Sequence, residues 1–204
     1  MASLGVDGGQ VVLPPRAARL CSRGAEVALV LALLIALLPV MMLIAVLIAP
    51  TGPVLFRQKR VGQAGRVFTI LKFRSLPVAP GQPIGALGRF LRATGFDELP
   101  QLVNVLRGEM ALVGPRPYVE AMAVDGVDYG RLCPTYHERL RVRPGMTGLA
   151  QICGLRGPIR SVAEAKARLA LDLAYIAERS VWLDLRILLA TPSALLAAPA
   201  DRAS

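Results

Sequence analysis

The sequence predicts an α/β fold dominated by helices, small in its folded part and held to a membrane near its N-terminus. Three observations predict it. Val27–Ala49 runs 23 residues without a charged or polar side chain and has Pro39 near its middle. The next region mixes apolar residues with Lys and Arg in two short runs. Helical spacing then takes over around an acidic pair, Asp97 and Glu98, and two further helical patterns close the chain.

Composition narrows the function classes. A chain of 204 residues supports one modest domain and a membrane element. The net charge of +10 implies an anionic partner, whether phosphate ligand, lipid headgroup or nucleic acid. Aromatics are only 5% and do not interleave with Lys and Arg, so nucleic acid is the weaker candidate and none is expected. Cys21, Cys133 and Cys153 are odd in number and lack metal-ligand spacing, which favours reduced thiols.

Taken in order, residues 1–26 form an expected flexible leader that ends in Arg16, Arg19 and Arg23. The apolar block, assigned to 27–50, would be about 34 Å long as a helix, enough to cross a bilayer core. Pro39 removes an N–H and clashes with the carbonyl one turn back, so a bend or break is expected there. Basic residues flank the block on both sides, with Arg57, Lys59 and Arg60 following it. Basic flanks belong in the cytoplasm. A re-entrant helix–break–helix hairpin satisfies that rule at both ends; a kinked full span is the alternative.

Residues 51–197 are expected to form a cytoplasmic domain. Val54–Arg60 and Arg66–Arg74 read as short strands joined by the Gly62–Gly65 turn. Residues 76–86 are a Pro/Gly loop. Leu99, Leu102, Val103 and Leu106 fall at helical spacing, with Pro100 in the first turn and Gly108 ending the helix. Tyr118–Gly130 is expected to hold a helix and a solvated loop. His137, the only histidine, is read as a surface residue. Ser161–Arg179 and Val181–Leu196 are helical by pattern. Trp182 suits a helix lying at the headgroups, although ordinary packing would use the same residues. The tail, 198–204, is expected to be disordered.

The chemistry centres on Asp97 and Glu98. Between Thr51 and Gly108 there are nine Lys or Arg and only these two acids. Nearby positive charge favours the carboxylate, so Asp97 is expected to stay ionised as a nucleophile or metal ligand. A helix N-terminus beside the pair would favour anions further.

GPVLFRQKRVG (52–62), FTILKFRS (68–75), LGRFLR (87–92), FDELPQLVNVLRGEMALVGPRP (96–117), RPGMTGLAQICG (143–154) and LDLAYI (171–176) together resemble the bacterial sugar transferases, or monotopic phosphoglycosyl transferases. The resemblance covers roughly Val27 to Leu196. It implies a bacterial inner-membrane enzyme with its catalytic domain on the cytoplasmic face. The implied reaction moves a sugar 1-phosphate from a nucleotide diphosphosugar, expected to carry UDP, to polyprenyl phosphate, the initiating step of glycan or exopolysaccharide assembly. It also implies Asp97 as a nucleophile that becomes phosphosugar-bearing, with Mg2+ held by Asp97 or Glu98. Lys72, Arg92, Arg116 and Arg143 are the expected phosphate contacts. The family's re-entrant break carries Ser-Pro where this chain has Leu38-Pro39. A catalytically silent scaffold for a glycan-assembly complex is the alternative.

Overall fold

The structure, a computed structural model, describes residues 16–78 and 81–196. It is a helix-dominated α/β arrangement in which a long first helix, α1 (Arg16–Ile48), lies against a small domain. The expected leader therefore overlaps α1 from Arg16 onward, while residues 1–15 and the expected tail lie outside the described residues.

The helical period of α1 explains its placement. Val30, Leu33, Leu34, Leu37, Met41, Ile44 and Ile48 recur every three or four residues and pack on the domain. Leu31, Ile35, Leu38, Met42 and Val46 fall on the other side and remain exposed, Ile35 at 75%. This helix, from Arg23 to Thr51, is the one among the described residues long and apolar enough to cross a membrane.

The break expected at Pro39 is not an interruption: α1 runs through it as one helix. A proline removes only one N–H from the ladder, and here Leu37, Val40 and Met41 are held against the domain on either side of it. Both ends of α1 are tied to that same domain. Near the start, Arg23 Nη2 donates to the carbonyls of Val105 (2.7 Å) and Leu106 (3.2 Å). Glu26 accepts from Leu112 N at 2.9 Å and pairs with Arg23 and Arg143 at 2.7 and 3.1 Å. Past the far end, Arg74 Nη2 donates to Thr51 Oγ1 at 2.6 Å. Glu26→Ala would remove the counter-charge of Arg23 and Arg143 and leave the Leu112 N–H without its acceptor. An expected loss of about 2 kcal/mol should appear in denaturant unfolding and as faster proteolysis near Arg23.

The two expected strands, β1 (Leu55–Val61) and β2 (Val67–Phe73), form an antiparallel hairpin with Phe56 opposite Lys72 and Arg60 opposite Phe68. Helix α2 (Ala86–Thr94) follows and ends at Gly95, whose φ of 75° is the left-handed conformation that glycine adopts without strain. A short helix, α3 (Gln101–Leu106), leads to β3 (Ala111–Val113). The expected helix within 118–130 is instead a tight hairpin, β4 (Ala123–Val124) and β5 (Val127–Asp128). Asp125 and Gly126 both take positive φ at its turn, the geometry that matches strand twist in two-residue loops. Beyond it come α4 (Tyr129–Leu132), a 3-10 stretch over Pro134–Arg141 that exposes His137, and β6 (Gly145–Thr147), parallel to β3.

Three helices complete the described chain: α5 (Leu149–Ile152), α6 (Val162–Glu178) and α7 (Val181–Leu196). Ser161 caps α6 by accepting from Glu164 N at 3.2 Å. On α7, Val181, Trp182 and Leu189 are more than 70% exposed.

Candidate active site

The acidic pair occupies a 3-10 turn, Phe96–Glu98, between α2 and α3. The pair thus stands just before the helix, where it was expected, but in a 3-10 turn of its own and ahead of a shorter helix. α3 has only six residues, so fixed cations rather than a helix dipole provide the positive field. Two contacts hold the turn in place. Gly88 of α2 lies so close to the Ser75 carbonyl that a Cβ there would collide with it. Asn104 of α3, fully buried, accepts from Leu71 N at 3.0 Å and donates to Thr69 O at 2.8 Å. Asn104 thus fixes α3 to the strand that carries Lys72.

Glu98 is clamped. Lys72 Nζ lies 2.7 Å from its Oε1, and Arg116 donates to both of its oxygens. Burial alone would raise its pKa, but Arg116 and Lys72 outweigh that and hold the carboxyl well below the usual range. Asp97 is different. It is 9% exposed, and its carboxylate takes no hydrogen bond or ion pair among the described residues. Burial, then the Glu98 charge, push its pKa up to about 6, against the pull of Lys72, Arg116 and Arg92. The expectation that surrounding cations would dominate is corrected here: desolvation wins. Asp97 is still mostly ionised at neutral pH, and both of its carboxylate oxygens are unengaged among the described residues.

The structure brings together four of the expected side chains around Asp97: Glu98, Lys72, Arg116 and Arg92. Arg92 stands on α2 with its Nε buried and without a partner. Arg60, one of the basic residues that follow the apolar block, lies beside Arg116 and Glu98. It donates to Pro117 O at 3.1 Å and lies close enough to Arg116 that the like charge, added to burial, lowers its pKa. Arg143 does not join. Its guanidinium is engaged by Glu26 at 3.1 Å and Met110 O at 3.2 Å, where it docks α1. An Arg is expected to be well suited to carboxylates and phosphates alike, so sequence alone could not choose.

Arg116 is placed by its backbone and by a second layer that the sequence did not reveal as functional. Its loop follows β3, and a Cβ on Gly145 would collide with Gly114 N, so β6 can lie this close only with glycine there. Arg139 Nη2 donates to the Arg116 carbonyl at 2.6 Å. Arg139 is itself buried, stacked 4.0 Å over the Tyr118 ring and paired with Asp172 at 2.8 Å. A signal for this was present. Leu169, Asp172, Leu173 and Ile176 share one face of α6, so a carboxylate was due to be buried with apolar neighbours.

The chain is 45% identical over 152 residues to the exopolysaccharide production protein PSS of Rhizobium leguminosarum bv. phaseoli, covering 69% of this chain and 76% of that one. It is 44% identical over 164 residues to a UDP-glucose:undecaprenyl-phosphate glucose-1-phosphate transferase of Caulobacter vibrioides, covering 75% and 60%. A protein of the same name from Escherichia coli is 39% identical over 186 residues, covering 85% and 39%. The chain thus spans less than two thirds of the length of those two transferases. The description "bacterial sugar transferase" matches residues 17–198, nearly the whole chain, and the protein belongs to that family.

Proposed function

We propose that this chain is a phosphoglycosyl transferase that moves a sugar 1-phosphate from a nucleotide diphosphosugar to a polyprenyl phosphate. The observation that carries the proposal is the asymmetry of the acidic pair. Glu98 is saturated by Lys72 and Arg116, while Asp97 beside it is unpaired and surrounded by cations. The names of the similar transferases make UDP-glucose and undecaprenyl phosphate the first substrates to try. The work would belong to exopolysaccharide assembly, as the name of another relative suggests.

The mechanism follows from these charges. An Asp97 oxygen attacks the phosphorus that bears the sugar, the phosphorus–oxygen bond to the nucleotide breaks, and nucleoside monophosphate leaves. The acceptor's phosphate then attacks the acyl-phosphate, taking the phosphosugar and restoring the carboxylate. Two anions must be brought together, and Lys72, Arg116, Arg92 and Arg60 offset their repulsion. Glu98 orients Lys72 and Arg116 rather than reacting. Among the described residues no three metal-ligating side chains cluster, and Glu98 has its oxygens taken. Mg2+ would therefore be held chiefly by the donor's phosphates and water, with Asp97 as the one carboxylate of the pair left to assist. When bound it would neutralise charge on the donor diphosphate.

Membrane attachment suits a lipid acceptor. We propose a one-leaflet arrangement, with α1 seated in the cytoplasmic leaflet of the inner membrane and both of its ends on the domain's side. In support, both of its ends contact one domain while its outer face is apolar and exposed. Purified protein in lipid nanodiscs, given UDP-sugars, undecaprenyl phosphate and Mg2+, should release UMP and form a lipid-linked phosphosugar. Failure with every donor would overturn the proposal.

The same mechanism sets a pH dependence. Asp97 reacts as the carboxylate, and its pKa is raised to about 6 in the folded protein. kcat/KM reports ionisations of the free enzyme, so it should be half its plateau near pH 6 and fall about ten-fold per unit below. An unshifted aspartate would keep full activity down to about pH 5.

A further inference from the structure

A lipid phosphate whose head reaches Asp97 must place its hydrocarbon within a few bond lengths of the acidic pair. An apolar cavity of about 250 Å³ opens there. Phe96 and Glu98, the two neighbours of Asp97, form one end of it. Leu33 and Leu37 of α1 and Leu188 and Leu195 of α7 form its sides. Most polar side chains of the lining turn to protein partners, Arg156 to Ala194 O at 3.5 Å among them, while Gln151 Oε1 has none among the described residues. The Thr147 and Thr191 hydroxyls bond each other at 2.8 Å, and the Gln151 amide donates to Met146 O at 3.0 Å.

We infer that this cavity holds the first isoprene units of the acceptor, an assignment that rests on the reaction proposed above. Three features select this occupant. A sugar or nucleotide base buried here would lose its hydrogen bonds to water and find few replacements, at a cost of kilocalories per group. Hydrocarbon gains from the same walls. The cavity also reaches Phe96 and Glu98, on either side of Asp97, and is walled by the helix whose opposite face, at Leu31, Ile35 and Leu38, is exposed. A chain leaving the cavity between α1 and α7 therefore continues into lipid, and its phosphate remains at Asp97. The enzyme would then read the acceptor by its α-end isoprenes as well as by its phosphate.

The test uses wild-type protein in nanodiscs and a farnesyl phosphate carrying a diazirine on the isoprene next to the phosphate. After irradiation, labelled peptides from 146–152 or 188–195 are the expected result. Labelling confined to the outer face of α1, or spread over lipid-facing residues generally, would overturn the assignment. Kinetics give an independent arm. With prenyl phosphates of one to three isoprene units, kcat/KM of the wild type should rise about ten-fold as the cavity fills. Ala194→Trp, which fills the cavity from α7, should flatten that rise. A variant that transfers but keeps the wild-type chain-length profile would overturn the cavity assignment alone. A wild type that uses no prenyl phosphate of any length, undecaprenyl phosphate included, would overturn the reaction itself and the assignment with it.

Discussion

Asp97→Asn is expected to reduce turnover to background while leaving the donor able to bind. The substitution keeps the shape of the side chain and removes the charge that attacks phosphorus. It should disturb the fold little, because the Asp97 carboxylate takes no hydrogen bond or ion pair among the described residues. Binding should persist because Lys72, Arg92 and Arg116 are unchanged, and removing a buried negative charge leaves their field more positive. The combination is diagnostic: kcat lost, donor affinity equal or tighter. Glu98→Gln should behave differently. It frees Lys72 and Arg116 from their clamp, so donor affinity and turnover should change together. Measuring donor binding by calorimetry beside turnover separates the two outcomes. Loss of donor binding with Asp97→Asn would make Asp97 a ligand for the substrate's metal rather than the nucleophile.

The second large effect lies behind Arg116. Asp172→Ala would leave the Arg139 guanidinium buried without its counter-charge, at a cost of about 3–5 kcal/mol. Arg139 and Asp172 are each 3% exposed, so water offers little relief. Substituting both partners, Arg139→Met with Asp172→Leu, should recover most of that stability, since a well-packed apolar pair is often as stable as a buried ion pair. Turnover should not recover with it. The Met side chain cannot donate to the Arg116 carbonyl, so the loop that presents Arg116 to Glu98 loses its anchor. Urea unfolding and turnover of the single and double variants therefore give different orders. A double variant restored in both would show that the pair matters only for stability.

Particular residues explain what was legible in the sequence. The face of α1 that meets the domain and the face that does not were both present in the apolar spacing. Yet a run of apolar residues does not say which side meets protein. Asp97 and Glu98 stood out as the only two acids among nine Lys or Arg, whereas Lys72 and Arg116 were picked out by the resemblance of their motifs to the family. Arg143 misled because an arginine near a glycine turn suits a carboxylate as well as a phosphate. Its partner, Glu26, lies 117 residues away and is brought to it only by the docking of α1. The raised pKa of Asp97 also depends on tertiary burial, which local charge counting omits. The hairpin at Asp125-Gly126 is another matter: that dipeptide is a strong turn signal, and reading a helix there ignored it. Pro39 shows the converse. A real local penalty was expected to break a helix that packing on both sides of the residue keeps whole.

The most direct test is a rapid-quench intact-mass measurement on wild-type protein with UDP-sugar and Mg2+ and no lipid acceptor. The account predicts release of up to one equivalent of UMP and a matching phosphosugar mass on the peptide containing Asp97. Added undecaprenyl phosphate should then discharge that adduct, and Asp97→Asn should show neither event. UMP release that absolutely requires the lipid, with no adduct at any quench time, would contradict the two-step mechanism and favour direct attack by the lipid phosphate.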